Sequence, residues 1–274
     1  MENLPINELI TLALTIAGAG AVAGFLAGVF GIGGGAILVP VFFQAFGLVG
    51  IDDAVRMHLA VGTSLAIIVP TSLRSFAAHR RRGNVDMALL RSWVIAVPLG
   101  VVIASMVIAF ISGAGLRLVF AVIAIGVALR LILNRETWRL GDEIPQNPIR
   151  FVTGSIIGFL STLMGIGGGV LNNTFMTLFG RPIHQAVATS AGTGVLISVP
   201  GVIGAIWAGW GAEGLPVFSL GYVNVLCMAL VIPLSVFVAP YGAKLAHSLP
   251  KRRLEIAFGI FLLIVAIRFF VSVL

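Results

Sequence analysis

Charge is scarce in this chain of 274 residues, because Asp, Glu, Lys and Arg together make up 10% of it. Hydrophobic residues make up 59%, and the mean hydropathy is +1.11. Apolar segments of about 16 to 28 residues match the length that an α-helix needs to cross roughly 30 Å of hydrocarbon. The composition therefore excludes a soluble globular protein and predicts an all-α, polytopic membrane protein. A transmembrane β-barrel is excluded too, because it would show short segments of alternating polarity.

Other absences narrow the function. The chain has a single cysteine, Cys227, so no internal disulfide or cysteine metal site can form. No Asp or Glu falls deep in an apolar segment, which argues against a carboxylate proton relay. A membrane-embedded enzyme would need clustered Asp, Glu, His or Cys, so an enzyme is the least favoured class, and we expect no cofactor and no resident metal. The net charge of +7 comes from arginines in short loops, where they orient a membrane protein, so no nucleic-acid partner is expected.

Two sequence patterns occur twice, in the same order. The glycine-rich stretch Gly31-Ile32-Gly33-Gly34-Gly35 returns at 165–169 as Gly-Ile-Gly-Gly-Gly. The heptad at 58–64, His-Leu-Ala-Val-Gly-Thr-Ser, returns at 184–190 with two changes. The chain is therefore a duplication, and internal repeats are a common way in which membrane transporters build a site at mid-membrane depth.

Glycine, proline and charged clusters divide the chain into ten hydrophobic segments. Five fall in a first repeat, residues 1–133, and five in a second repeat, residues 150–274, with the polar stretch 134–149 as the joint. The predicted segments are 9–30, 34–48, 55–78, 91–111, 116–133, 150–164, 168–180, 184–209, 217–245 and 253–273.

The loop charges predict that the two repeats are inverted. The loop 79–86 carries three arginines in a row, whereas its counterpart 209–216 has Glu213 and no basic residue. The next pair of loops reverses the contrast, since 112–116 is uncharged and 247–253 holds one lysine and two arginines. Because basic loops stay in the cytoplasm, we expect equivalent loops to face opposite sides of the membrane, with both termini outside the cytoplasm. The first ten residues lack Lys and Arg, so we expect no cleaved signal peptide.

The glycine stretches have two interpretations that the sequence leaves open. They could allow close helix packing, because small residues let backbones approach within a membrane. They could also interrupt a helix, because segments 150–164 and 168–180 span only about 22 and 20 Å at 1.5 Å per residue. Backbone amides freed inside a membrane must line protein or a wet cavity, and a helix N-terminus there would attract an anion. A dinucleotide fingerprint is rejected since no strand precedes either stretch. The candidate residues are Gly31, Gly33, Gly34, Gly35, Gly165, Gly167, Gly168 and Gly169.

The heptads add polar side chains at the starts of the third segments. Their hydroxyls could donate to substrate oxygens without imposing a fixed charge. Alternatively, the hydroxyls bond their own helix at i−4, and the histidines sit at the membrane interface. Asn172 and Asn173 follow the second glycine stretch, where polar groups are costly unless partnered. The candidates for substrate binding are His58, Thr63, Ser64, Asn172, Asn173, His184, Thr189 and Ser190.

The chain resembles the TauE/SafE family of sulfite exporter-like permeases. The resemblance rests on the glycine stretch, the His-x-Ala-Val-x-Thr-Ser heptad, the basic loop 79–86 and the closing Gly242-Ala243-Lys244-Leu245-Ala246. It covers nearly the whole chain. It implies an inner-membrane carrier of small sulfur-containing or organic anions, such as sulfite, thiosulfate or a sulfonate, and it carries no family catalytic residue over to this sequence.

These observations together predict a secondary transporter that works by alternating access around a central site. The partners expected are a small anionic substrate and the lipid bilayer. A coupling proton, a coupling sodium ion and uncoupled flux all stay open, as does the oligomeric state. The rival functions are an anion channel or uncoupled facilitator and, last, a membrane-embedded enzyme.

Overall fold

The computed structural model describes residues 6–30, 35–133, 139–247 and 249–273. Within these ranges the chain forms eleven helices and one small hairpin. The helices are α1 (Ile6–Phe30), α2 (Gly35–Leu48), α3 (Asp53–Arg81), α4 (Met87–Ser92), α5 (Ala96–Phe110), α6 (Gly113–Leu133), α7 (Ile149–Leu163), α8 (Gly169–Leu178), α9 (Ile183–Ala208), α10 (Val225–His247) and α11 (Lys251–Val271). Strands β1 (Ser219–Leu220) and β2 (Val223–Asn224) pair antiparallel just before α10.

Among the residues that the structure describes, four helical stretches are long and apolar enough to cross a membrane: α3, α6, α9 and residues Arg252–Val271 of α11. Five shorter apolar stretches accompany them, in α1, α2, α5, α7 and α10. Large apolar side chains also face outward; Phe110 is 87% exposed and Phe237 is 70% exposed. An apolar exterior around an apolar interior is what a lipid environment allows, so the predicted helical, multi-pass membrane class is confirmed.

Each predicted segment corresponds to a helix, with two differences. The fourth segment, predicted at 91–111, corresponds to α5, which begins later at Ala96; the short α4 precedes it and shares only residues 91–92 with the prediction. The ninth was predicted to begin at residue 217, which is wrong, because residues 219–224 form the hairpin and α10 begins at Val225. Phe218 and Gly221 have φ of +62° and +54°, values that a helix does not use.

Helix pairs connect the two halves of the chain. The long helices α3 and α9 pack on each other, and α6 packs on α11. Helix α1 packs on α10, while α7 packs on α5. The helix that precedes each glycine stretch therefore lies against a helix from the other half of the chain.

Small residues allow these close approaches at matching positions. A methyl group added at Gly24 would lie 2.7 Å from the Cα of Ser235, and one added at Gly158 would overlap the carbonyl of Val97. Gly20 and Gly154, four residues earlier, contact Val231 and Trp93 in the same way. Each Gly-Ile-Gly-Gly-Gly stretch is thus preceded by a Gly-x-x-x-Gly-Phe-Leu sequence. The second glycine of that sequence lies seven residues before the first glycine of the stretch in both halves. This spacing of small residues is typical of tightly packed membrane helices.

The two ends of α3 define two ends of the molecule. At the Asp53 end, Arg117 Nη2 lies 2.6 Å from Asp53 Oδ2 and Arg117 Nη1 lies 3.2 Å from Ser272 Oγ, so α3, α6 and the end of α11 meet there. At the Asp86 end, which follows α3, Trp93 Nε1 donates to the carbonyl of Arg150 at 3.0 Å.

Candidate functional site

The second glycine stretch interrupts the helix. Helix α7 ends at Leu163 and α8 begins at Gly169. Gly165 and Gly168 have φ of +64° and +74°, the left-handed region that favours glycine. The helix break, one of the two interpretations of the glycine stretches, is therefore present here. Gly31, Gly33 and Gly34 lie outside the described residues, and Gly35 is the first residue of α2.

Close packing, the other interpretation, also holds at this turn. A Cβ added at Gly35 would lie 2.7 Å from the Cα of Ile166, so the start of α2 contacts the second glycine turn. A Cβ at Gly165 would lie 3.0 Å from the Cα of Val61 in α3. One at Gly167 would lie 3.6 Å from the Cα of Gly194 in α9. The turn is therefore enclosed by α2, α3 and α9.

Several backbone N–H groups at this turn have no hydrogen-bond acceptor within the described residues. The N–H groups of Gly165 and Ile166 donate to the carbonyls of Thr162 and Ser161, at 3.0 and 2.8 Å. The next N–H to donate is that of Asn172, to Gly168 O at 2.8 Å. For residues 167–171, none of the described residues accepts a hydrogen bond from the backbone N–H groups. The start of α8 thus presents several free donors and the positive end of a helix dipole.

Serine and asparagine side chains gather at the same place. Ser190 Oγ accepts from Asn172 Nδ2 at 2.6 Å and donates to Asn173 Oδ1 at 2.6 Å, which links α9 to α8. Ser64 Oγ of α3 donates to the carbonyl of Gly165 at 2.8 Å. Neither serine bonds its own helix, so that alternative is wrong for both. The structure brings Ser64, Ser190, Asn172 and Asn173 together with the second glycine turn.

Within helices α7, α8 and α9, three buried polar atoms have no partner among the described residues: Ser161 Oγ, Asn172 Oδ1 and Ser198 Oγ. Ser161 Oγ lies 3.6 Å from where a Cβ of Gly168 would be, so it faces the start of α8. Buried polar groups in native proteins are normally hydrogen-bonded, so an unpaired one calls for an explanation, such as a role in binding an ion. A hydroxyl and free amides beside each other can donate to the oxygens of an anion.

Thr63 and Thr189 have a different environment from the serines beside them. The backbone N–H of Asn224 donates to Thr63 Oγ1 at 3.0 Å, and the backbone N–H of Asp86 donates to Thr189 Oγ1 at 2.9 Å. Each threonine is completely buried. Each therefore binds a chain segment of the other half.

Asp86 and Asn224 also cap the helices that follow them. Asp86 Oδ1 accepts from the N–H of Leu89 at 3.0 Å, and Asn224 Oδ1 accepts from the N–H of Cys227 at 2.8 Å. Sequence reasoning missed both residues. The signal was a third repeat, in which Gly-Asn-Val-Asp at 83–86 returns as Gly-Tyr-Val-Asn at 221–224.

The two histidines lie in unlike places. His58 is buried, its Nε2 donates to the carbonyl of Ile111 at 3.0 Å, and its ring stacks on Tyr222 at 4.7 Å between centroids. His184 is exposed at the start of α9. Over the described part of the chain, no three His, Cys, Asp or Glu side chains come together in a way that could hold a metal ion.

The sequence matches the family model described as "Sulfite exporter TauE/SafE" over residues 16–269. The chain belongs to the TauE/SafE family. A probable membrane transporter protein of Haemophilus influenzae is 34% identical, over 92% of this chain and 96% of its own length. One from Methanocaldococcus jannaschii is 29% identical over 93% of each chain, and YunE of Bacillus subtilis is 24% identical over 90% and 93%. No solved structure gives a significant match.

Membership of the TauE/SafE family identifies the protein as a membrane transporter. Its partners are accordingly a small-molecule substrate and the lipid bilayer. The curated relatives bear the general name of probable membrane transporter protein, and the family name is that of a sulfite exporter.

Proposed function

We propose that this TauE/SafE protein is a secondary transporter of a small sulfur-containing or organic anion, such as sulfite, thiosulfate or a sulfonate. The observation that carries the proposal is the buried start of α8, where the N–H groups of residues 167–171 have no acceptor among the described residues and Ser161 Oγ has no partner. Those donors match the oxygens of an anion, and the family name points to an oxyanion of sulfur.

The anion would be held without a full opposing charge. A helix N-terminus carries roughly half a positive charge, and amide donors cost no side-chain entropy. Ser190, Asn172 and Asn173 form the adjoining polar wall. A neutral site of this kind favours release as well as binding, because the anion is not trapped by an arginine or lysine. Transport needs both steps.

The two halves would move against each other as inverted repeats. In support, each heptad threonine bonds the capping residue of the opposite half, and each glycine-lined helix packs on the other half. Equivalent loops also lie at different ends of α3. Gly214 packs against Asp52 at the Asp53 end, whereas the equivalent loop of the first half contains Asp86 itself.

The orientation follows from charge. Arg80, Arg81 and Arg82 precede the Asp86 end, and Arg252, which donates to the carbonyl of Leu131 at 2.8 Å, belongs to the other basic loop. We therefore assign the Asp86 end to the cytoplasmic side of the inner membrane, and both termini to the opposite side. Rocking of the halves would open the α8 site to each side in turn.

A ligand screen tests the proposal. The melting temperature of the purified protein in detergent is measured with sulfite, thiosulfate, sulfoacetate, sulfate and simple carboxylates, each added separately. An anion that binds the folded protein, present at about 100 times its Kd, should stabilise the folded state by about 2.7 kcal/mol. Anions that raise the melting temperature are then offered to proteoliposomes with imposed pH, sodium and voltage gradients, which identify the coupling ion. Saturable exchange of internal for external anion supports a carrier, whereas unsaturated flux without exchange supports a channel. Absence of both stabilisation and flux would refute anion transport.

A matched pair of serine variants tests the site itself. Ser161→Ala removes a hydroxyl that has no protein partner, so the fold should keep its melting temperature while the anion-induced shift falls. Ser105→Ala is the control, because Ser105 is also buried but donates to Val101 O of its own helix. An unchanged anion-induced shift in Ser161→Ala would remove this residue from the site.

A further inference from the structure

A cavity of about 390 Å³ opens at the Asp86 end of the molecule. This volume is in the range of sites that hold small molecules. The cavity lies between the residues before α4, the polar stretch before α7 and the turn between α8 and α9. Its polar lining residues are Asp86, Asp142, Glu143, Gln146, Arg150 and Arg181.

Most charged groups in this cavity are engaged by the protein. Asp86 Oδ1 caps α4. Asp142 pairs with Arg139 at 3.9 Å. Arg150 Nε donates to the carbonyl of Pro145 at 2.9 Å, which holds its own loop in place.

Arg181 is different. Its Nε is buried and has no hydrogen-bond partner within the described residues. The residue stands in the turn between α8 and α9, two positions before the first residue of α9. Because a guanidinium presents its donors as a planar fork, it suits the paired oxygens of a carboxylate or a sulfur oxyanion.

One hydrogen bond links the cavity lining to α9, which carries Ser190. Asp86 lines the cavity, and its backbone N–H donates to Thr189 Oγ1. The residue after Thr189 is Ser190, which binds Asn172 and Asn173. The hydrogen bond between Asp86 and Thr189 therefore connects the cavity lining to the residue beside the serine that binds Asn172 and Asn173.

We infer that this cavity is a second binding site for the transported anion, on the cytoplasmic side, with Arg181 as the cation that holds it. The inference rests on the proposed function. An anion arriving from the cytoplasm would bind Arg181 first and would enter the α8 site when the link between Asp86 and Thr189 opens. Glu143, an exposed carboxylate on the cavity wall, opposes the anion and limits how tightly it binds.

Kinetics from the two membrane faces test this inference. The probe is whichever of sulfite, thiosulfate, sulfoacetate and sulfate the wild-type protein carries fastest, in proteoliposomes of known orientation. Arg181→Gln should raise the half-saturating concentration at the cytoplasmic face about three- to tenfold, the usual worth of one hydrogen-bonding contact, with the value at the outer face nearly unchanged. Arg181→Lys should restore part of the loss, because it keeps the charge without the fork.

The matched control is Arg81→Gln, which removes an equal charge from an exposed position at the end of α3, outside the cavity lining. Glu143→Gln should lower the half-saturating concentration at the cytoplasmic face, and it keeps the inference testable if Arg181→Gln does not fold. Equal kinetics for Arg181→Gln and Arg81→Gln, or no effect of Glu143→Gln, would overturn the cavity site while anion transport stands. A wild-type protein that carries none of the four anions would overturn both.

Discussion

At the scale of single residues, the two heptad threonines give the sharpest test. Thr63→Val and Thr189→Val keep the side-chain volume but remove the acceptor for the backbone N–H of Asn224 or Asp86. A buried donor without a partner costs about 1–3 kcal/mol, so each valine variant should melt at a lower temperature in detergent. Thr63→Ser and Thr189→Ser keep the oxygen and should stay close to the wild type.

Thr71→Val in α3 is the control for these variants. Thr71 Oγ1 donates only to carbonyls of its own helix, those of Ile67 and Ile68, so its removal should cost less. If Thr63→Val melts like Thr63→Ser, the hydrogen bond to Asn224 contributes nothing. A valine variant that folds normally but no longer binds the anion would instead indicate direct contact between that threonine and the substrate.

The repeat predicted that the Thr-Ser pairs matter, but their partners could not be predicted from the heptads alone. Thr63 binds a residue 161 positions away, and Thr189 binds one 103 positions away. Contacts at such separations depend on how the helices assemble, which local patterns do not encode. The third repeat, Gly-x-Val-Asp and Gly-x-Val-Asn, does indicate these partners in the sequence. Each copy ends in Asp or Asn, residue types that commonly cap the start of a helix.

At the scale of helices and turns, the lengths of the apolar runs predicted the segments, because a helix surrounded by lipid and by other apolar helices needs apolar residues along its whole length. The prediction was wrong at residues 217–224, where Val217, Phe218 and Leu220 look like the start of a helix. Gly221 packs so closely on the backbone of Ile206 that no side chain fits, and the N–H of Tyr222 donates to the carbonyl of Ala205 at 3.1 Å. Contact with α9 therefore selects the hairpin over helix propensity.

The turn before α8 can be tested with two glycines of the same conformation. Gly168 and Gly180 have φ of +74° and +72°, so an alanine at either position costs about 1–2 kcal/mol for the left-handed backbone. Only at Gly168 does the added Cβ meet a side chain closely, at 2.6 Å from Ile197 Cδ1, whereas the nearest atom at Gly180 is 3.9 Å away. Gly168→Ala should therefore lower both the melting temperature and the anion-induced shift more than Gly180→Ala does.

Equal effects of the two alanine variants would contradict this view of the turn. Equal losses would mean that the backbone conformation alone matters and that the contact with α9 relaxes freely. A Gly168→Ala variant that is less stable but keeps its full anion-induced shift would separate packing from binding, and would move the proposed site away from the start of α8.

At the scale of the whole molecule, the repeated patterns could be found in the sequence, but the contacts between helices of the two halves could not be predicted from it. The contacts of Gly24 with Ser235 and of Gly158 with Val97 occupy equivalent positions in the two repeats, and each contact joins one half of the chain to the other. An isolated half would lack the partner for its own glycine-lined helix. We therefore expect the halves to depend on each other for stability.

The sidedness of the loops is the prediction on which the inverted arrangement depends. The chain has one cysteine, Cys227, which is buried, so a cysteine introduced into a loop can be labelled selectively. In intact cells, a membrane-impermeant maleimide should label Glu213→Cys without further treatment and Arg81→Cys only after the membrane is permeabilised. Arg81 and Glu213 belong to equivalent loops, so opposite accessibility is the direct consequence of inversion.

A second pair must show the reverse order if the halves are inverted as wholes. Ser112→Cys, in the uncharged loop of the first half, should be labelled from outside, and Arg253→Cys, in the basic loop of the second half, only after permeabilisation. The wild-type chain, whose cysteine is buried, gives the background for both pairs. Arg81→Cys and Glu213→Cys labelled from the same side would rule out the inversion, because equivalent loops of parallel repeats share one face of the membrane.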